Sequence, residues 1–161
     1  MTAFAVRKSR LGNPLFEHAL MLLVAGIVVW AISAYALYVL EQAEASVVSA
    51  TIMNIRSGMR TEEALRIARG QPRLPAGGNP VRFLQLAPAG YVDETELPAE
   101  PAPGTWFYRA AEETLYYVPQ RHSQLHFVDV KQRKVLAWKL VLEPSVAQAA
   151  TLKPVMSYRW F

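Results

Sequence analysis

The chain has 161 residues, is 52% apolar and carries a net charge of +4. It holds no cysteine, so no disulfide ties it together. Its basic residues form no block interleaved with aromatics, which speaks against nucleic acid as a partner.

Residues 1–18 form a basic leader with Arg7, Lys8 and Arg10, and residues 19–40 follow as an unbroken run without a formal charge. Crossing a bilayer as a helix takes ~20 apolar residues. Lipid offers the backbone no hydrogen bonds, so the run is expected to be a transmembrane helix. Glu41 and Glu44 follow it, and no Lys or Arg appears before Arg56. Basic residues stay on the cytoplasmic side, which predicts a cytoplasmic N-terminus and a C-terminal part outside the cytoplasm. Trp30, Tyr35 and Tyr38 lie in the outer half of the run. A cleaved secretory signal is the competing reading, with Ala34-Tyr35-Ala36 as its site and Leu37 as the new N-terminus. The length of the apolar run favours a retained anchor.

Residues 41–69 read as an outward extension of the same helix, free of proline. Val48, Ile52, Ile55 and Met59 form one apolar stripe, with Glu41, Glu44 and Arg56 expected off it. The stripe needs a partner, either the protein's own sheet or the same helix in neighbouring subunits. Gly58 marks an expected kink, and Thr61 with Glu62 and Glu63 reads as a fresh N-terminus. Glu62 and Arg66 are spaced for an i,i+4 ion pair. Gly70 and Pro72 end the helix. The arginines Arg56, Arg60, Arg66, Arg69 and Arg73 read as a solvated face and its following loop.

Residues 70–104 are a proline-rich loop region with short ordered pieces at 81–86 and 91–92. From residue 105 the period changes to two. Residues 106–109 and 115–118 flank a turn and predict a hairpin. Residues 125–130 and 135–142 flank a charged loop at 131–134 and predict a second one. Leu136, Trp138, Leu140 and Leu142 share one face, as in a half-buried antiparallel strand. Residues 155–161 are expected as a last strand. The predicted fold class is α+β: one N-terminal helix packed on a small antiparallel sheet across 105–161.

Chemical motifs are sparse. His122 and His126 are four apart without an HExxH frame, and Asp129 is the nearest acid, which is a poor metal set. No serine lies in a G-x-S-x-G frame, and no Walker A or G-x-G-x-x-G sequence occurs. Ala76-Gly77-Gly78-Asn79 reads as a turn, and Asp93, Glu94 and Glu96 as a solvated loop. The expectation is a non-enzymatic chain without a cofactor or a metal. Trp160 and Phe161 are the best candidates for a partner surface, or else dock into the sheet.

The order of parts resembles a type IV pilin or a type II secretion pseudopilin. In those families a leader ends in glycine and a glutamate follows five residues on. Gly12 and Glu17 have that spacing, within Lys8-Ser9-Arg10-Leu11-Gly12-Asn13-Pro14-Leu15-Phe16-Glu17. Asn13 stands where the family usually has Phe or another apolar residue. The pieces Asn79-Pro80-Val81-Arg82-Phe83-Leu84, Ala89-Gly90-Tyr91, Gly104-Thr105-Trp106-Phe107-Tyr108 and Leu115-Tyr116-Tyr117 are similar to minor, accessory pilus proteins such as those of the MSHA pilus. The resemblance implies leader cleavage between Gly12 and Asn13, and helix–helix contacts through Glu17, Val48, Ile52, Ile55 and Met59. It implies a place in the bacterial inner membrane with the sheet in the periplasm, and other pilin-like or assembly subunits as partners. Two readings of Glu17 stand side by side: pairing with the N-terminal amine of a neighbouring subunit, or a place in the cytoplasmic headgroup layer. The alternative function is a bitopic scaffold of a cell-envelope complex that never enters a filament.

Overall fold

The computed structural model describes residues 14–127, 135–143 and 149–161. The chain divides into two compact units, Met1–Val39 and Leu40–Phe161. Helix α1 (Pro14–Ala68) contributes to both. Pro14 suits a first helical position, where the missing N–H would have had no intrahelical partner.

In the first unit, the described side chains of α1 are exposed throughout. This is one helix long and apolar enough to cross a membrane. Ser33 returns its hydroxyl to the Val29 carbonyl (2.8 Å), so it presents no unpaired polar hydrogen to an apolar surrounding.

The second unit opens on the remainder of α1. Val48, Ile52, Ile55 and Met59 are all buried there, together with Leu74 and Val81 and the inward side chains of a sheet. Burying each such side chain contributes about 1.5–3 kcal/mol. Of the two partners open to the stripe, the sheet takes it. These four side chains are therefore interior to the unit, and the expected helix–helix contact through them finds no exposed surface. Nor does the stripe begin at Val48. Glu41 and Glu44 continue it at the same three- and four-residue spacing, and Glu41 is only 3% exposed. The expectation that both acids lie off the stripe is corrected.

No break occurs at Gly58: α1 runs through it to Ala68. The glycine has a different cause. A Cβ there would collide with the backbone carbonyl of Phe83, so the residue lets a neighbouring segment press against the helix. Thr61 opens no new helix; its hydroxyl donates to the Ser57 carbonyl (3.1 Å), a bond made inside a helix. The Glu62–Arg66 pair does form, at 2.8 Å. The helix ends as expected around Gly70, whose φ of 64° suits glycine. The Gln71 N–H bonds the Arg66 carbonyl (2.9 Å) and the Gly70 N–H bonds that of Ile67 (3.1 Å), the paired closure of a Schellman motif.

A 3-10 turn (Pro80–Phe83) follows, capped by Asn79, whose Oδ1 accepts from Val81 N at 3.0 Å. The strands are β1 (Tyr91–Val92), β2 (Trp106–Arg109), β3 (Thr114–Tyr117), β4 (Leu125–Phe127), β5 (Leu136–Glu143), β6 (Ala149–Pro154) and β7 (Tyr158–Trp160). The main sheet has the order β1-β2-β3-β5-β6, antiparallel except for the parallel β1–β2 pair. The chain is thus α+β with an antiparallel-rich sheet, and its proline-rich region supplies the edge strand β1. Trp106, Leu115, Tyr117, Leu136, Trp138, Leu140 and Leu152 form the inward layer. Trp106 stacks near Trp138 at 5.6 Å between ring centroids, and Tyr158 meets Trp138 edge-on at 6.0 Å.

The first predicted hairpin is β2–β3. The second is corrected: β4 pairs with β7 in a separate two-stranded ribbon, while β5 lies between β3 and β6. The charged loop 131–134 lies outside the described residues. Leu142, expected on one face with Leu136, Trp138 and Leu140, is 40% exposed while those three are buried.

Candidate functional site

The most polar buried constellation of the second unit sits at its beginning, where the helix residues Glu41 and Glu44 meet residues 117–124 and β7. Residues 120–124 lie outside any strand, and the two carboxylates take three of their backbone N–H groups. Glu44 accepts from the Tyr117 hydroxyl (2.8 Å), Gln120 N (2.6 Å) and Arg121 N (3.1 Å). Glu41 Oε1 accepts from Gln124 N (2.8 Å) and from the Trp160 indole Nε1 (3.2 Å). A buried carboxylate is costly unless its oxygens are hydrogen-bonded, and these are. Burial and the bond to Glu44 push the Tyr117 phenol well above its ordinary pKa. The constellation is a clamp that fixes a loop and the last strand to the helix. Its residue types were visible in the sequence, and the signal for it was the continued helical spacing from Glu41 through Met59.

The other predicted site residues fall as follows. Trp160 is half-buried in β7 and engaged by Glu41, so it docks within the unit rather than standing free. Phe161 beside it is half-buried, and its backbone oxygen accepts from Arg159 Nε at 3.1 Å. Glu17 is exposed on α1 in the first unit. Gly12 and Asn13 lie outside the described residues, as does Asp129. His122 and His126 are both exposed, His126 opposite Arg159 in the β4–β7 ribbon. Among the described residues no three His, Cys, Asp or Glu side chains gather as a metal set. Of the clustered loop acids, Glu94 acts locally, accepting from Ala110 N at 3.0 Å and so tying the β2–β3 turn.

Two grooves flank the helix in this unit. One, of about 680 Å³, runs beside Gly58 under residues 82–86. The other, of about 530 Å³, lies between Ile52, Arg56, Trp138 and Tyr158. Arg56 there donates from Nε (3.3 Å) and Nη2 (2.9 Å) to the Leu152 carbonyl on the edge strand β6. That carbonyl is therefore unavailable to an added strand.

Comparison of the chain with protein-family models, with curated proteins and with solved structures gives no match.

Proposed function

We propose that the chain is a non-enzymatic, membrane-anchored assembly subunit of the minor pilin or pseudopilin kind. The observation that carries this reading is helix α1. Its first part is exposed and apolar, and its later part supplies Val48, Ile52, Ile55 and Met59 to the core of an antiparallel-rich sheet. An apolar helix that also helps to build a sheet unit is what an assembly anchored in a bilayer requires: the lipid-facing part is free to pack with other helices, and the sheet unit is carried on the same helix. The spacing of Gly12 and Glu17 adds the expectation of leader removal. The membrane is a bacterial inner membrane, with the sheet unit in the periplasm and other pilus or secretion subunits as partners through the N-terminal helix.

The test is the N-terminus of the protein recovered from a host that has a prepilin peptidase. Intact mass and terminal sequencing are expected to give Asn13 as the first residue. An intact Met1 overturns the processed-subunit reading and favours a bitopic scaffold. A first residue at Leu37 makes the apolar run a cleaved signal.

A further inference from the structure

Glu41 is the first charged residue after the apolar run of 19–40, and the clamp binds residues 120–124 to it and to Glu44. This loop therefore lies at the level of the helix where the apolar run ends. Its own composition is Gln120, Arg121, His122, Ser123 and Gln124, with no acid. The two acids that hold it, Glu41 and Glu44, have oxygens taken by backbone N–H groups, a phenol and an indole. The loop is thus left cationic. His122, Ser123 and Gln124 are exposed, and the Arg121 guanidinium makes no ion pair among the described residues. The half-buried Trp160, an aromatic of the kind favoured at a membrane–water boundary, shares the Glu41 carboxylate with Gln124 of this loop.

We propose that residues 120–124, centred on Arg121, are a docking surface for the anionic phospholipid headgroups of the bilayer that the chain's own apolar helix enters. The proposal rests on the membrane-anchored reading above. The occupant follows from position and charge. A guanidinium at the end of a membrane span meets phosphate oxygens, which it holds in a fork of parallel hydrogen bonds. The contact makes the exposure of this loop depend on lipid charge.

The test uses the full chain, whose lack of cysteine allows a single fluorescent probe at Ser123→Cys or at Ile27→Cys. The protein is placed in nanodiscs of phosphatidylcholine alone or mixed with phosphatidylglycerol, with a quencher on the headgroup or deep in the acyl chain. The Ser123 probe is expected to be quenched by the headgroup label only, with its contact equilibrium shifting about five-fold toward the surface in anionic discs, as for one basic side chain near such a surface. Arg121→Gln and Arg121→Glu are expected to remove that lipid dependence. Both leave the Arg121 N–H bond to Glu44 in place, and an unchanged near-ultraviolet circular dichroism spectrum checks the fold. Equal quenching of the Ser123 probe in neutral and anionic discs, or none while Ile27 is quenched by the acyl label, overturns the docking surface and leaves the anchor standing. An Ile27 probe untouched by the acyl label overturns the anchor itself.

Discussion

Glu44 brings together three donors from residues far along the chain, and its loss leaves two loop amides and a phenol unpaired. Hydrogen bonds to a charged group contribute about 1.5–3 kcal/mol each in favourable settings, less where water reaches them. Glu44→Ala is expected to cost about 2–4 kcal/mol in total, and Tyr117→Phe about 1 kcal/mol. Chemical unfolding of the detergent-solubilised protein measures both. A Glu44→Ala protein as stable as the parent removes the clamp from the account. Sequence reading stops short of this residue for a definite reason. A stripe sought among apolar side chains ends at Val48, whereas the buried face of the helix goes on through two carboxylates. Loop amides some eighty positions away, with the Tyr117 hydroxyl and the Trp160 indole, offset the cost of placing them there, and that pairing is not written in local pattern.

At the scale of elements, Gly58 sets helix propensity against packing. Alanine in place of a mid-helix glycine ordinarily stabilises by about 1 kcal/mol. Here the new Cβ meets the Phe83 carbonyl, which belongs to the backbone of the 3-10 turn and has no flexible end to move aside. Gly58→Ala is therefore expected to destabilise by about 1–3 kcal/mol, as overpacking does, and to speed amide exchange in residues 80–84. A gain in stability would show that the turn does not press on the helix. The helix, its stop at Gly70 and the β2–β3 hairpin are legible in the sequence because each rests on neighbours: a period of 3.6, a left-handed glycine, and two alternating runs around a tight turn. The β4–β7 ribbon is not. Strands of three residues carry almost no period of their own, and β4 finds β7 across thirty intervening positions, past a β5 that sequence order would have made its partner.

For the whole molecule, the sheet unit is rich in phenols whose proton is held tightly. Burial is the largest cause in each case, raising the pKa of Tyr91, Tyr108, Tyr116, Tyr117 and Tyr158, that of Tyr116 to about 12. The unfolded chain releases these protons near pH ~10. Because the folded state holds more protons above that point, stability is fully present below about pH 10 and falls as the pH climbs toward the folded-state values. Phenolate absorbance is expected to rise late and together with loss of the fold; a single early step near pH ~10 with the fold intact would contradict it. The bond between Glu41 and Trp160 has a further consequence, for biosynthesis. Glu41 emerges among the first residues of the sheet unit and Trp160 among the last, 119 positions apart. The clamp on Glu41 therefore cannot close until the residues through Trp160 have been synthesised, so this part of the unit completes its fold late. Contacts of such long range fold slowly, so the nascent unit is a natural client for chaperones.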